Sequence, residues 1–372
     1  QALHRAHNEF KKLTGMEFHA MGELEYYVVS DAEDLYVTPD QRGYHESGPF
    51  CKWGDMRREA MQAIAAAGGK IKYGQSEVGN FAVDGKMYEQ NEIEFLPVDV
   101  EEAADQLLVA KWILREISYR YGVLLTFAPK ITVGKAGSGM HIHTKVVKNG
   151  QNMYLKDGKL SDVAKTVIAG ILDTADALTA FGNTNPTSYL RLVPHQEAPT
   201  NICWGDRNRS VLVRVPLGWT SGAGEMIRDA NPNADFEVRE ATDKQTVEFR
   251  CPDGSADVYL LLAGLVTAAR HGFEMENPVA YAEERYVGVN IFHEEHKAIA
   301  ERLDHLPDSC VVSADALEAK RAIFESKGVF GSGLIDGWVK MLRAHEDKNL
   351  REELNNNPEL VRGLVDKFIN VG

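Results

Sequence analysis

Periodic patterns of apolar and polar residues divide the chain into strands and helices that are mixed along its length. Alternation with a period of two, enriched in Tyr and Val, predicts strands, whereas apolar residues three or four positions apart predict helices. The predicted strands are 20–30, 70–78, 86–96, 123–127, 140–147 and 247–252. The predicted helices are 55–67, 98–121, 161–181, 258–271, 294–303 and 314–326. Because this order has no regular βαβ alternation, it favours the α+β class over a doubly wound fold.

Turn and capping residues indicate where several of these elements begin and end. Ser161 and Asp55 precede helical patterns and are expected to cap the helix N-termini. The dipeptide Asn149-Gly150 predicts a tight hairpin after the strand that it follows. The stretch 31–53 is rich in Pro, Gly and polar residues, so we expect a long loop there.

The chain shows no sign of a division into separate domains. It contains no internal repeat, low-complexity tract or flexible Gly/Ser linker. We therefore expect one domain over 1–372, in which the chemical motifs occupy 15–262 and the part 263–372 is mostly helical.

Composition and charge restrict the partners of the protein. Of its 372 residues, 44% are hydrophobic and 26% are charged, as in ordinary globular proteins. The 41 basic and 55 acidic side chains give a net charge of −14, which disfavours nucleic acids and anionic membranes as partners. The four cysteines contain no C-x-x-C pair, so neither a disulfide framework nor a zinc ribbon is indicated. The chain starts without a signal-peptide core and has no apolar stretch long enough to span a bilayer, so we expect a cytoplasmic protein.

Carboxylates and imidazoles recur two residues apart on predicted strands, so the members of each pair share one face. The pairs are Glu23/Glu25, Glu92/Glu94, His141/His143 and Glu248/Arg250, and Glu77 stands alone near the end of a fifth strand. A solvated strand face gives the same alternation, so one pair alone carries little weight. Several strands with mostly carboxylates indicate more, because clustered carboxylates raise one another's pKa unless cations neutralise them. Such oxygen-rich sets with an imidazole suit Mg²⁺ or Mn²⁺.

Arginines form the second half of the chemical pattern. They lie in or near motif-like segments as Arg191, Arg207, Arg209, Arg214 and Arg250. Guanidinium groups bind carboxylates and phosphates through paired hydrogen bonds, so with hard divalent metals they indicate phosphoryl transfer from a nucleotide. The sequence has no G-x-x-x-x-G-K-[ST] loop, and 134–139 does not fit G-x-G-x-x-G. Metals and arginines would then hold the nucleotide, although surface salt bridging is the simpler interpretation of Arg207.

Four segments together resemble the signatures of glutamine synthetase. They are GSGMHIH at 137–143, SYLRLVPHQEAP at 188–199, NRSVLVRVP at 208–216 and VEFRCPD at 247–253. Their order and separations agree with that family, and the acidic segments GELEY at 22–26 and QNEI at 90–93 fit as well. The resemblance implies an α+β catalytic domain of the glutamine synthetase type, with a curved antiparallel sheet or partial barrel flanked by helices.

The same resemblance implies a role for each matching residue. One metal ion would be held by Glu25, Glu77 and Glu92, and a second by Glu23, His141 and Glu248. Glutamate would contact Gly137, Arg191 and Arg250, and ATP would contact His143, Lys145, Arg209 and Arg214. The catalytic groups would be Arg209, Arg250, Glu197 in a flap that closes over the site, and Tyr44 near the ammonium pocket. Glu94 has no counterpart, so it is interpreted as part of a solvated strand face.

The activity implied by the resemblance is that of an ATP-dependent carbon–nitrogen ligase. Glutamate and ammonia would form glutamine through a γ-glutamyl phosphate, with two or more Mg²⁺ or Mn²⁺ ions at each site. An acyl phosphate hydrolyses readily, so the flap would have to exclude water. The partners would be these small molecules and further copies of the chain, in a homo-oligomer that the family builds as a dodecamer of two hexameric rings.

The chain departs from the family pattern in four respects. Ala136 stands where the family usually has Asn, which helps to seat glutamate, and Lys145 stands where Ser is common near the nucleotide. The flap has Pro-His-Gln-Glu at 194–197, where the family usually has Pro-Gly-Tyr-Glu. The chain begins where the catalytic domain begins, so we expect the small N-terminal β-grasp domain, which contributes to the ammonium site, to be missing from it.

Three alternatives remain open on the sequence. A γ-glutamyl ligase for a larger amine, such as a polyamine or methylamine, is compatible with a missing N-terminal domain. A catalytically silent structural relative should have lost metal ligands, and this chain keeps all six positions. An ATP-guanidino kinase of similar barrel architecture would leave the His-x-His and Glu-Ala-Pro segments unexplained.

Overall fold

The structure is a computed structural model that describes residues 1–33, 35–193, 198–218, 223–233, 244–354 and 357–372. The strands are β1 Glu17–Asp31, β2 Ile71–Val83, β3 Lys86–Phe95, β4 Val98–Asp99, β5 Leu124–Thr126, β6 Met140–Lys148, β7 Gln151–Asn152, β8 Leu155–Lys156, β9 Lys159–Leu160, β10 Trp204–Asp206, β11 Val213–Val215 and β12 Val247–Phe249. The helices are α1 Ala2–Thr14, α2 Gly54–Ala66, α3 Val100–Arg120, α4 Asp162–Gly182, α5 Pro186–Arg191, α6 Ala223–Ala230, α7 Val258–Glu274, α8 Pro278–Glu284, α9 Lys297–Ala300, α10 Cys310–Ala319, α11 Arg321–Glu325, α12 Ser332–Arg343, α13 Leu350–Leu354 and α14 Pro358–Phe368. This mixture confirms the predicted α+β class.

The long strand β1 is the centre of a ten-stranded sheet. The main order is β10-β11-β12-β6-β1-β3-β2, and β4, β5 and β7 pair with strands of this path. Only the pairing of β10 with β11 is parallel among the described strands. No pairing between β10 and β2 closes the sheet within the described parts of the chain, so the sheet is open and flanked by helices.

Alternation along β1 separates a helix-covered face from a polar face. A Cβ atom added to Gly22 would lie 2.7 Å from Leu107 in α3, so even-numbered positions such as Leu24 and Tyr26 face the helices. Leu24 and Tyr26 are fully buried in the main core, to which α1, α3, α4, α7 and α10 also contribute. The odd-numbered positions, which include Glu23, therefore face the other side of the sheet.

The predicted hairpin and one predicted cap are confirmed. Asn149 and Gly150 have φ values of 51° and 78°, as a two-residue turn with left-handed central residues requires, and they connect β6 to β7. Ser161 Oγ accepts a hydrogen bond from Ala164 N at 3.1 Å and so caps α4.

Two other local predictions are wrong. Asp55 does not cap a helix, because α2 begins at Gly54 and Asp55 instead forms an ion pair with Arg58 at 2.5 Å. The predicted helix 294–303 is a short 3₁₀ turn followed by the four-residue helix α9. Neither piece has a buried residue, and a helix without an apolar face to bury gains little from tertiary packing.

All four cysteines are buried and unpaired. Burial raises the pKa of each thiol, to about 12 for Cys203. The absence of disulfides agrees with the sequence analysis. In the described regions, no helix combines the length and apolar character needed to cross a bilayer.

Candidate active site

Strand pairing brings four glutamates together on the polar face of the sheet. In the β1–β3 register, Glu23 lies opposite Glu94, and Glu25 lies opposite Glu92. Like charges directly opposite each other on antiparallel strands are destabilising. Oxygens of Glu23, Glu92 and Glu94 also lie within 4.8 Å of one another. The period of two predicted each pair within its strand, and the register joins the two pairs into one cluster.

Strands β6 and β12 add two imidazoles and a fifth glutamate. His141 lies opposite Glu23, and His143 lies opposite Glu248. His141 Nδ1 is 3.0 Å from one oxygen of Glu23 and 3.4 Å from an oxygen of Glu248. His143 Nε2 is 2.7 Å from the other oxygen of Glu23, while its Nδ1 is 2.8 Å from Thr246 Oγ1. Glu23 therefore bridges the two histidines.

These groups line a cavity of about 730 Å³. That volume is typical of small-molecule sites, which span roughly 300–1,000 Å³. The predicted site residues on its wall are Glu23, Glu25, Tyr44, Glu77, Glu92, Gly137, His141, Arg191, Arg209, Arg214, Glu248 and Arg250. One cavity thus unites residues from most of the predicted motifs.

Two of the predicted ATP contacts lie off the described cavity wall. His143 is only 5% exposed and lies behind the wall, where its ring nitrogens meet Glu23 and Thr246. Lys145 follows two residues later on β6, opposite His19. Glu197, the predicted flap residue, lies outside the described residues. The assignments of His143, Lys145 and Glu197 therefore stay predictions.

The carboxylate cluster disfavours the ionised form of Glu92. Burial and four neighbouring carboxylates raise the pKa of Glu92 well above its ordinary value. The four neighbours are Glu23, Glu25, Glu77 and Glu94. A buried carboxyl group among like charges loses this penalty when a cation binds beside it. The donor set of carboxylate oxygens and imidazole nitrogens fits hard divalent cations such as Mg²⁺ or Mn²⁺.

The pKa values of Glu23 and the two histidines depend on attraction between opposite charges as well as on burial. Burial opposes ionisation of Glu23, but His143 and His141 outweigh it and hold the pKa of that carboxyl group well below its usual range. Burial likewise opposes protonation of His143, yet the charges of Glu23 and Glu248 raise its pKa. Burial lowers the pKa of His141 despite the same two carboxylates. His141 is therefore the imidazole that is more easily kept neutral, the form in which histidine binds metal.

Four guanidinium groups complete the cavity wall, and each of them has a protein contact. Arg191 Nη1 donates to the carbonyl of Cys251 at 2.8 Å. Arg250 Nε donates to Glu248 at 3.2 Å, and Arg214 Nε is 2.5 Å from the other oxygen of Glu248. Arg209 donates to the hydroxyl of Tyr44, and this bond raises the pKa of Arg209. The cationic side of the site is thus largely positioned before a ligand binds.

Two glutamines orient the carboxylates and were not singled out from the sequence. Gln75 Nε2 donates to Glu77 at 2.9 Å and to Glu92 at 3.0 Å. Gln90 Nε2 donates to Glu25 at 3.1 Å. Gln75 precedes Glu77 by two positions on one strand, so the same period of two would have revealed it.

The interpretation of Glu94 as a solvated residue is wrong. Glu94 is 5% exposed, and it accepts hydrogen bonds from Tyr73 Oη and from Lys72 Nζ, the latter at 2.6 Å. It also lines the cavity beside Glu92. The sequence pattern did not reveal this because it does not fix the register of the β2–β3 hairpin, in which Tyr73 lies opposite Glu94.

A second acidic cluster, away from the cavity, does not fit a metal. His7 Nδ1 lies 3.6 Å from Asp99 and 3.8 Å from Glu101. His7 Nε2 accepts the backbone N–H of Phe18 at 3.1 Å, so the neutral ring carries its proton on Nδ1. A protonated nitrogen cannot bind a cation, and the cluster therefore serves to join α1, β1 and the start of α3.

The sequence matches the family model described as glutamine synthetase, catalytic domain, over residues 1–359. The chain belongs to the glutamine synthetase family. Proteins of this family are ATP-dependent ligases, and they generally use divalent metals.

Curated glutamine synthetases are similar in sequence to this family member over most of its length. The glutamine synthetase of Pyrococcus horikoshii is 31% identical over 365 residues, which cover 96% of this chain and 74% of the relative. That of Pyrococcus furiosus is 31% identical over 358 residues, covering 94% of this chain and 73% of the relative. The chain therefore spans about three quarters of the length of these relatives.

Solved structures share the fold of this glutamine synthetase family member. A cryo-EM structure of Plasmodium falciparum glutamine synthetase superimposes with a TM-score of 0.71 at 21% identity, covering 94% of this chain and 76% of that chain. A complex of GmaS with ADP gives a TM-score of 0.73, also at 21% identity, covering 96% and 76%. At this level of identity the likeness concerns the fold alone.

We expect a Gly137→Ala variant of this family member to lose activity by roughly tenfold to hundredfold, since small displacements of positioned groups have effects of this size. A Cβ atom at this position would lie 2.6 Å from the carbonyl of Pro129 and 2.9 Å from Cγ of Arg191. The backbone or the arginine must therefore move. Steady-state kinetics measure the loss, and Gly337→Ala in α12, where nothing lies within 4 Å of the added atom, is the matched control. Equal activity of both variants would contradict the prediction.

Proposed function

We propose that the chain joins the γ-carboxylate of glutamate to ammonia at the expense of ATP. One observation carries the proposal: a single cavity is lined both by a glutamate cluster with His141 and by four guanidinium groups. Carboxylates hold divalent cations, guanidinium groups hold carboxylates and phosphates, and phosphoryl transfer to a carboxylate requires both. Membership of the glutamine synthetase family supports the same class of reaction.

The glutamates of the cavity would hold two divalent cations. Glu25, Glu77 and Glu92 would bind one ion, and Glu23, His141 and Glu248 would bind the other. When bound, such ions neutralise phosphate oxygens and polarise the phosphoryl group. The raised pKa of Glu92 supports this assignment, because its ionised form needs a compensating positive charge.

The arginines would orient the two substrates. Arg191 and Arg250 are 5% and 6% exposed, so they would contact glutamate in a site from which water is largely excluded. Arg209 and Arg214 also line the cavity and would contact the phosphates of ATP. Guanidinium groups remain charged under all ordinary conditions, and their charge offsets the oxyanions throughout the reaction.

The reaction would then take two steps. A γ-carboxylate oxygen of glutamate attacks the γ-phosphorus of ATP, the bond to ADP breaks, and an acyl phosphate forms. Neutral ammonia attacks the acyl carbon, phosphate leaves with the electron pair of its bond, and a base accepts the surplus proton. Glu197 stays our prediction for that base, and Tyr44, held against Arg209 at the cavity wall, would lie near the incoming amine.

We expect the full-length protein to release phosphate from ATP only when Mg²⁺ or Mn²⁺, glutamate and an acceptor amine are all present. The assay compares ammonium, methylamine and a polyamine, uses aspartate in place of glutamate as a control, and identifies the product by mass spectrometry. Release that depends on ammonium supports the proposal, whereas release only with a larger amine would assign that amine as the acceptor. Failure with every acceptor, together with failure to bind Mn²⁺, would overturn the proposal in favour of a silent structural relative.

We further propose that the protein acts as a ring-forming homo-oligomer, such as the dodecamer of two hexameric rings that the family builds. Size-exclusion chromatography with light scattering of the full-length protein tests this. A particle several times the mass of one chain is expected, and a monomer at all concentrations would contradict it.

A further inference from the structure

Gln41 presents an unused hydrogen-bond donor at the cavity wall. Its Oε1 accepts the backbone N–H of Ala136 at 2.7 Å. Because that N–H is a donor, the atom facing it must be the amide oxygen, and this contact fixes the orientation of the side chain. Gln41 Nε2 is buried and has no hydrogen-bond partner among the described residues, although Gln41 lines the cavity. A buried donor without a partner lowers the stability of the fold. We therefore expect a bound ligand to supply the acceptor.

The backbone holds this donor in a fixed place. Gln41 N donates to the carbonyl of Asn80 at 2.9 Å, and the φ of Gln41 is 57°, a left-handed conformation that is unfavourable for a residue other than glycine. An ion pair between Asp40 and Lys135 joins the same two loops beside it. Backbone strain that the surrounding contacts maintain is often found where a side chain must be aimed at a ligand.

The surroundings of Gln41 favour an anionic acceptor. Lys130, Lys135 and Arg191 line the same cavity, and Lys130 is almost fully buried there. Ala136 contributes only a methyl group beside Gln41, so it offers no side-chain donor of its own. A carboxylate oxygen is an acceptor that suits this set of donors and cations.

We infer that Gln41 is a glutamate-binding residue that donates its amide N–H to the α-carboxylate of the substrate. The inference rests on the proposed function, because it takes glutamate as the substrate. The Gln41 amide would reach the site from the loop between β1 and α2. It lies next to Ala136, whose own side chain has no hydrogen-bond donor. Gln41 would therefore contribute to the affinity for glutamate and not to the transfer of the phosphoryl group.

The Gln41→Glu variant tests the inference. It keeps an oxygen that can accept the N–H of Ala136, but it removes the donor and places a negative charge next to the substrate carboxylate. Loss of a hydrogen bond to a charged group lowers affinity by roughly tenfold to hundredfold. We expect the KM for glutamate to rise by at least that factor, with the KM for ATP unchanged. Calorimetry should show the same loss of glutamate binding.

Gln106→Glu is the matched control, because Gln106 has the same local bonding in a different place. Its Oε1 accepts the backbone N–H of Lys70 at 3.0 Å, and its Nε2 is also buried without a partner in the described structure. Gln106 lies on α3 and does not belong to the described cavity wall. The control should leave the KM for glutamate unchanged, and thermal melting of both variants shows whether each one folds.

A second comparison separates binding from a structural role. Gln41→Ala should raise the KM for glutamate, and adding Ala136→Asn to it should recover part of the loss, since an amide returns to the same part of the wall. If the parent enzyme uses glutamate but Gln41→Glu keeps its KM, the inference is wrong and the proposed function stands. If the parent enzyme shows no reaction with glutamate, the proposed function itself fails.

Discussion

The Glu92→Gln variant is expected to lose activity by at least about a hundredfold and yet to melt at a higher temperature than the parent when metal is absent. Glutamine cannot replace an anionic metal ligand, and loss of a direct ligand should exceed the roughly tenfold to hundredfold effect of groups that only support ligands. In the metal-free protein, however, glutamine removes a charge that burial and four neighbouring carboxylates disfavour. Calorimetric Mn²⁺ titration and thermal melting with and without metal measure the two effects.

The pH dependence of this difference has a definite sign. The folded-state pKa of Glu92 is raised, so its protonated form stabilises the fold at low pH, and that stabilisation is lost as the pH rises through the raised pKa. The melting temperature of metal-free Glu92→Gln should therefore exceed that of the parent more at pH 8 than at pH 5. Glu23 has a lowered pKa and changes stability in the opposite direction, and because it lies beside Glu92 the comparison reports the titration of the pair.

Glu17→Gln is the control for this experiment. Glu17 belongs to the same sheet as Glu92, but its side chain is 57% exposed at the start of β1. The same chemical change there should alter neither Mn²⁺ binding nor the melting temperature by a measurable amount. If Glu92→Gln bound Mn²⁺ as tightly as the parent, the assignment of Glu92 as a ligand would have to be abandoned.

The Arg250→Lys variant is expected to lower kcat by roughly a hundredfold to a thousandfold, the range observed when one preorganised donor to a transition-state oxyanion is removed. Arg250 is 6% exposed, donates through Nε to Glu248 at 3.2 Å and contacts the carbonyl of Arg209 through Nη1. Lysine keeps the charge, but its three N–H donors lie on one nitrogen and cannot reproduce the two contacts that Arg250 makes through separate nitrogens. The group that faces the substrate would therefore lose its fixed position.

Arg343→Lys provides the matched control for this substitution. Arg343 also makes a forked contact, with Asp315 at 3.1 and 2.6 Å, but its side chain is 41% exposed on α12. Its replacement should leave kcat unchanged and should cost at most about 1 kcal/mol of stability, as is usual for exposed ion pairs. A kcat for Arg250→Lys near that of the parent would show that charge alone, without fixed geometry, suffices at this position.

The sequence predicted the parts of the site that depend on local periodicity. Glu23 and Glu25 share a face because strands alternate, and the same rule applies to His141 and His143. The polar side of β1 and the strand β6 are therefore found at the expected places. The resemblance to the family then joined distant motifs that periodicity alone could not relate. In the structure, residues from most of these motifs line one cavity.

The parts that escaped prediction depend on register and on loops. Glu94 is buried because Tyr73 and Lys72 of β2 contact it, and strand alternation alone does not fix the register of the β2–β3 hairpin, which shifts between Ile71 and Tyr73. Gln41 lies in a stretch predicted only as a long loop, where side-chain direction follows from turns and not from a period. Lys130 was missed for the same reason, although it is almost fully buried at the cavity wall.

We expect the four buried cysteines of the folded protein to react only slowly with thiol reagents, because a thiol reacts as its thiolate and burial both raises the pKa and blocks access. A single cysteine introduced at an exposed site, such as Tyr119→Cys on α3 where the parent side chain is 83% exposed, would therefore be labelled selectively. A fluorophore there could report conformational changes during turnover. In the parent protein, slow labelling of the native thiols would instead measure how often the core opens to solvent.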